Sequence, residues 1–358
     1  MIGFRITKSV FFSFVLLSAC AHDSSKQKAT ARDPLSSNSP AEMKKEAVVT
    51  YHQTADQIGY EILNHGGNAF DAFVAATAAQ YVPGEGVTSF GGPLGALLYD
   101  ANSKTIFYLD ATFNDPLNPK HKWDAENPKP GAAVLVPGAV SGLEAISKKY
   151  GKLSFAQVLQ PSIRLAEEGF PLNAEYAGLL QSAYGKRLAA GSYAMATYFK
   201  NGEPLEKGQI LKLPVVARFL KRLAKDGSCY VYNGKWAKEF LKEVNRQGGH
   251  LSMKDLNSYK AEWKTPAKIS YRGYEIYSSP NNGGINTLLS LKVLEQTDLT
   301  KFGQHYSSNA EGLATLALIQ DEVTLQPWLH DESKLKDESF VQSQLTGSTP
   351  VEIWKRVE

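Results

Sequence analysis

The chain has 358 residues, 43% of them hydrophobic and 21% charged, which excludes a disordered protein and is enough for a large single domain or two ordinary ones. The 39 basic residues against 36 acidic ones leave a formal charge of +3, too weak a field to favour nucleic acid or an anionic surface.

At the N-terminus, Arg5 and Lys8 precede the apolar run Val10 to Leu17, and Leu17-Ser18-Ala19-Cys20 closes it. This is the layout of a bacterial secretion signal, and the run is too short to cross a bilayer as a permanent helix. Small residues lead into a cysteine rather than into an Ala-x-Ala site, so the segment resembles a lipoprotein signal in which Cys20 becomes the lipidated first residue. The alternatives are a signal cut elsewhere or an uncleaved anchor. Ala21 rather than Asp follows the cysteine, which under the familiar lipoprotein sorting rule points to the outer membrane, facing the periplasm. A lipidated Cys20 cannot pair with Cys229, the one other cysteine, so no internal disulfide is expected. Cys229, alone in GSCYVYNG, reads as a small buried hydrophobe. Residues His22 to about Lys45 are Ser-, Lys-, Asn- and Pro-rich with no apolar period, the composition of a flexible tether. The predicted organisation is a signal at 1–20, a tether at 21–45 and one folded domain at 46–358.

Folding is expected to begin with a short β-like run, Ala47 to Thr50. A helix carrying Ile58, Ile62 and Leu63 on one face follows and ends at Gly66-Gly67. Asn68 can cap the next helix, whose Ala, Phe and Val spacing from Ala69 to Ala79 suits burial on most sides. After the glycine-rich turn at Gly91, Gly92 and Gly95, strand formers from Leu94 to Tyr99 and from Thr105 to Leu109 flank a polar Asp100 to Ser103 turn and predict a hairpin. A Pro-rich loop from Asp115 to Pro130 leads to a strand-turn-helix junction, Val134 to Val136 and then Pro137 to Gly142. Ser154 and Gln157 make a capping box for a helix from Phe155 to Glu168, stopped by Gly169. Further helices are predicted over Val215 to Lys225, Lys235 to Gln247, Ser252 to Leu256, Asn286 to Glu295 and Asn309 to Leu325. A strand-rich stretch from Lys264 to Tyr277 turns at Arg272-Gly273. No linker strong enough to divide the folded part is apparent.

Common catalytic signatures are absent: there is no Gly-x-Ser-x-Gly elbow, no His-Glu-x-x-His, no phosphate-binding loop and no Cys-x-x-Cys. Ser89 is better read as a turn-stabilising hydroxyl than as a nucleophile, since no His is near it in sequence. His52, His65, His121, His250, His305 and His330 show no ligand spacing, so no metal is expected and they read as surface or cap residues. Asp71 is either a first-turn acid favoured by the helix dipole or a site carboxylate, the first being the simpler reading.

Five segments in order resemble the large-subunit region of the gamma-glutamyltranspeptidase (gamma-glutamyltransferase) family: Ala55 to Ala72 (ADQIGYEILNHGGNAFDA), Pro137 to Gly142 (PGAVSG), Tyr150 to Pro171 (YGKLSFAQVLQPSIRLAEEGFP), Gly248 to Tyr259 (GGHLSMKDLNSY) and Tyr271 to Gly284 (YRGYEIYSSPNNGG). The resemblance runs from about Val48 to about Asp331. It implies an α+β fold, the layered αββα sandwich of N-terminal-nucleophile hydrolases, of which this chain would be the helix-rich large-subunit portion. It also implies a precursor that cleaves itself before a threonine. The freed amine and hydroxyl of that threonine attack a gamma-glutamyl amide such as that of glutathione, and water or an acceptor amine resolves the acyl-enzyme. No cofactor or metal is part of that chemistry.

Two departures modify what is carried over. The family's nucleophile opens a central strand after the large subunit, at a Thr-Thr-His-like motif that has no match here. Thr349 is the nearest candidate, but it precedes Pro350 and only Val351 to Glu358 follow it. No catalytic residue is therefore assigned. The family also shows Asp-Gly-Arg-Glu-x-Ala-Pro after the hairpin, where the Arg clamps the substrate's α-carboxylate with a bidentate fork. The corresponding run here is Asp110 to Pro116, which puts Thr112, the candidate substrate-binding residue, where the Arg would be. The expectation is a lipid-anchored large-subunit half of a glutathione hydrolase-like enzyme, inactive alone and dependent on a separately encoded small subunit. The alternatives are a non-catalytic scaffold or binding lipoprotein, and an acylase or amidohydrolase relative with a different substrate.

Overall fold

The computed structural model describes residues 46–83, 88–118, 120–303, 305 and 308–358. Cys20, the signal and the tether lie outside the described residues. Among the described residues no helix is long and apolar enough to cross a membrane.

Helices α1 (Gln53–Asn64) and α2 (Ala69–Tyr81) pack as a pair. His52 caps α1, its ring accepting the Thr54 N–H at 3.2 Å. Asn68 caps α2 through a capping box with Asp71. The alanine-rich surface of α2 is buried on most sides, Val74, Ala75, Ala78 and Ala79 being fully enclosed, because small side chains let neighbouring layers approach. The run Ala47 to Thr50 is not a strand: Val48 instead fills the space beside Gly59 and Ala76 at the α1–α2 contact.

Strands β1 (Leu94–Asp100) and β2 (Thr105–Ala111) form the expected hairpin, two residues longer on its second arm, with Leu94 opposite Ala111. Leu94, Ala96 and Leu98 point inward while Leu97 and Tyr99 stay exposed. Against the inner face lies α3 (Ala139–Tyr150), followed by α4 (Phe155–Glu168) with its predicted Ser154–Gln157 box. Val134 to Val136 do not make a strand; Val136 forms a single bridge with Asn114.

The next segment, which had no expected element, builds small pieces: β3 (Phe170–Pro171), α5 (Ala174–Gln181), α6 (Ala183–Leu188), α7 (Ser192–Tyr198), β4 (Phe199–Lys200), β5 (Glu203–Pro204) and β6 (Ile210–Leu211). Then come α8 (Pro214–Asp226), α9 (Cys229–Tyr232), α10 (Lys235–Arg246) and α11 (Met253–Ser258), close to their expected positions. Cys229 corrects its reading as a buried hydrophobe. It is exposed because Val231 and Tyr232 take the inward positions of the one-turn helix α9.

Strand β7 (Glu262–Lys264) joins the hairpin as a third strand, order β1-β2-β7, all antiparallel. A separate ribbon of β8 (Ala267–Tyr271) and β9 (Tyr274–Ser278) turns at Arg272-Gly273 as expected. The chain closes with α12 (Asn282–Leu294), α13 (Ala310–Thr324), α14 (Glu332–Leu335), α15 (Glu338–Thr346) and α16 (Thr349–Val357). Helix α12 starts four residues before its expected head because Asn281 accepts the Gly284 N–H and caps it there.

One apolar core runs from Ala55 to Tyr259 and a second from Ile269 to Ile353, the boundary falling between β7 and β8. Among the described residues the result is an α+β arrangement of one three-stranded sheet, three two-stranded ribbons and many helices.

Candidate functional site

Strand β2 delivers Asp110 to the outward sheet face, because Ala111 beside it is fully buried and successive side chains alternate. The chain then leaves the sheet at Thr112. One Asp110 oxygen, Oδ1, accepts both the Thr112 N–H at 3.1 Å and the Thr112 hydroxyl at 2.5 Å. The other, Oδ2, accepts the Lys264 ammonium at 2.8 Å.

Sheet register explains the group. Asp110 stands opposite Glu262 and Tyr108 opposite Lys264, so four functional side chains share one face. Lys264 also lies 3.4 Å from Glu262. Burial alone would push the Asp110 carboxyl up, but the Lys264 and Thr112 hydrogen bonds outweigh it and hold the group below its ordinary value. Burial would likewise lower Lys264, and the Asp110 carboxylate holds it above the ordinary lysine value. With two carboxylates and one ammonium, the cluster carries one surplus negative charge at neutral pH.

The backbone of residue 112 is fixed from behind. Tyr259 donates its hydroxyl to the Thr112 carbonyl at 2.5 Å and stacks on Tyr232, ring centroids 5.5 Å apart and planes within 6°. Tyr232 donates to the Pro137 carbonyl at 2.8 Å and accepts the Ser141 N–H at 3.4 Å. The loop after β2 and the turn into α3 are thereby tied to the same aromatic pair. Only glycine fits at 138, since a Cβ there would lie 2.1 Å from the Ala111 carbonyl oxygen and from the Tyr259 hydroxyl. The glycine turn meets this junction too, the Gly92 carbonyl accepting the N–H groups of Gly138 and Ala139 at 3.2 and 3.0 Å.

Other candidates fall away from the site. Asp71 is fully buried and structural: it caps Asn68 N–H at 2.9 Å and accepts the Lys152 N–H at 2.9 Å and the Leu153 N–H at 3.4 Å, holding the α3–α4 loop. At Ser89 the carbonyl, not the expected hydroxyl, closes the turn by accepting the Gly92 N–H at 3.0 Å. His121 accepts the His250 N–H at 2.9 Å, pinning the Pro-rich loop. No group of His, Cys, Asp and Glu among the described residues could hold a metal ion. Thr349 is the first residue of α16, and its hydroxyl donates to Gln344 at 2.9 Å.

Sequence reasoning reached Thr112 and missed Asp110, Lys264, Tyr232 and Tyr259. A polar Asp110 two residues from Thr112, on a strand whose alternate positions are apolar, was a readable signal. The tyrosine pair left none.

A family model described as Gamma-glutamyltranspeptidase matches residues 55–349. The chain is 32% identical over 277 residues to a glutathione hydrolase proenzyme of Escherichia coli, covering 74% of this chain and 47% of the relative. It is 31% identical over 280 residues to the acylase ACY 1 proenzyme of a Pseudomonas species, covering 74% of this chain and 50% of the relative. The solved gamma-glutamyltranspeptidase of Helicobacter pylori superposes with a TM-score of 0.76 at 28% identity, over 88% of this chain and 92% of that one. The chain thus spans about half the length of the curated relatives it matches. Its fold is that of the N-terminal-nucleophile hydrolases. The chain belongs to the gamma-glutamyltranspeptidase family.

Proposed function

We propose that this chain is the large-subunit half of an amide-cleaving hydrolase or acyl transferase, and that a second polypeptide brings the nucleophilic threonine and completes the sheet sandwich. The match to one solved transpeptidase chain over 92% of its length carries this reading. Thr349 supports it, being bound into a helix rather than opening a strand. Leu97 and Tyr99, large apolar groups exposed on the outer sheet face, suit a surface that a partner covers.

The substrate of this reading is an amide without an α-carboxylate at residue 112. The Thr112 hydroxyl is committed to Asp110, and the surplus negative charge of Asp110, Glu262 and Lys264 repels a carboxylate where the family's Arg would attract one. An acylase among the relatives is in keeping with that. The same loss of Arg favours a second reading, a non-catalytic scaffold. In both, lipid on Cys20 anchors the chain in the bacterial envelope, at the outer membrane facing the periplasm, with 21–45 as tether. Assay of the chain with and without its co-purified partner, on a gamma-glutamyl anilide and on an N-acyl anilide lacking the α-carboxylate, tests the proposal. Release by the pair, faster from the second substrate, is expected; release by the chain alone contradicts it.

A further inference from the structure

The formal charge of +3 hides a segregation. Lys212 to Arg246 hold nine basic and three acidic residues, whereas Ile269 to Glu358 hold seven basic and twelve acidic ones. The weak field read from the total is thus the sum of two opposed local fields, and the basic one falls on helices α8 and α10. In α8, Ala217, Leu220 and Leu223 are buried, which turns Arg218, Arg222 and Lys225 outward. In α10, Ala237, Leu241 and Val244 are buried, and Lys235, Lys242 and Arg246 are turned outward. The ring of Phe219 in α8 lies 6.1 Å from that of Trp236 in α10, and Trp236 stacks on Phe240 at 4.7 Å. This half-buried aromatic seam joins the two helices, so their cations stand on packed elements rather than on a loop.

A solvated helix gains stability from opposite charges four residues apart and loses it from like ones. Like charges stand at that spacing four times here: Arg218 with Arg222, Lys221 with Lys225, Lys238 with Lys242, and Lys242 with Arg246. Lys221 is offset by Glu167, Arg222 by Asp226 at 4.0 Å and Arg246 by Glu243 at 2.6 Å. Arg218, Lys225, Lys235, Lys238 and Lys242 make no ion pair among the described residues. Their mutual repulsion is relieved by negative charge laid against the outside of the helices.

We infer that the outer face of α8 and α10 docks on an anionic lipid leaflet, whose phosphate-bearing headgroups lie over Arg218, Lys225, Lys235 and Lys242. Charge complementarity over two joined helices selects the occupant, together with the lipid proposed above on Cys20, on which this inference rests. The chain between Cys20 and Glu46 can span at most about 90 Å, so an anchored domain stays within reach of the leaflet and meets it at high effective concentration. Each unpaired cation within a Debye length of such a leaflet, about 8 Å, strengthens association about fivefold. The lipid holds the chain, and this face decides which side of the domain meets the membrane.

The test inserts the full chain, isolated from its own cells, into vesicles of phosphatidylcholine alone or mixed with phosphatidylglycerol. Flotation reports attachment, and acetylation of each lysine by a water-soluble reagent is followed by mass spectrometry. Lys225, Lys235, Lys238 and Lys242 are expected to react about threefold more slowly on the anionic vesicles than on the neutral ones, a difference that concentrated salt abolishes. Lys336 and Lys355, exposed beside the second core, are expected to react equally on both. Reversing three charges together, Lys225→Glu, Lys235→Glu and Lys242→Glu, is expected to remove the protection of Lys238 with unchanged flotation and melting temperature. Equal reaction on both vesicles with flotation intact overturns the docking face and leaves the lipid anchor standing. Protection on anionic vesicles by a chain that does not float with neutral ones upholds the face and contradicts the anchor. Protection centred on Lys336 and Lys355, or protection by soluble heparin and by neither vesicle, overturns the assignment to this face or to lipid. Flotation with neither vesicle overturns both proposals.

Discussion

The hydroxyl of Tyr259 donates to the carbonyl of Thr112 at 2.5 Å, joining two residues 147 positions apart in the chain. The bond is part-buried, Tyr259 being 7% exposed and Thr112 half-buried. Tyr259→Phe keeps the ring stacked on Tyr232 but leaves the carbonyl without this donor, and is expected to destabilise the fold by about 1–3 kcal/mol. Tyr232→Phe should cost a similar amount, and the double variant less than the sum, because the rings and loops are shared. Denaturant melts of the three variants check this; full additivity would separate the two tyrosines.

Alkaline pH should weaken the fold in a defined window. Burial pushes Tyr81 up to about 12, and burial also raises Tyr232 and Tyr259. An unfolded tyrosine ionises near pH ~10, so the unfolded chain releases protons that the folded chain retains. Stability from these groups is complete below about pH 10 and declines as pH rises through their folded values. For Tyr81 the shift corresponds to roughly 3 kcal/mol at most. Unfolding free energies at pH 9, 10 and 11 measure the decline, and Tyr81→Phe is expected to flatten its slope.

Asp71 accepts backbone N–H groups from Asn68, Lys152 and Leu153 in a fully buried position. Asp71→Ala strands all three donors and removes half of a capping box, so a loss of about 3 kcal/mol is expected. Helix α2 and the α3–α4 loop should then show faster amide exchange than the rest of the core. Uniform exchange would mean that Asp71 does not couple them.

The elements of this fold were legible where local chemistry is decisive. The Ser154–Gln157 box, the Asn68 cap, the hairpin around Asp100 to Ser103 and the Arg272-Gly273 turn each depend on residues a few positions apart. The short strands β3 to β6 were not legible, because two-residue pairings such as Phe170 with Leu211 depend on distant partners. The division into two cores was hidden for the same reason. At the site, Thr112 stood out by contrast with a family motif, whereas Lys264 and Tyr259 reach it through sheet register and ring packing that no spacing encodes.

The proposed envelope anchoring rests on one residue, Cys20. Cys20→Ala is expected to abolish incorporation of labelled palmitate and to release the chain from the membrane fraction, with no change in the melting of the folded domain. Retained label would contradict lipidation at that position.

The proposal that catalysis is divided between two polypeptides is tested most directly by one measurement: anilide release by the purified full chain, alone and after co-purification with its partner. The account predicts no release above buffer from the chain alone and steady turnover from the pair. Turnover by the chain alone would contradict it.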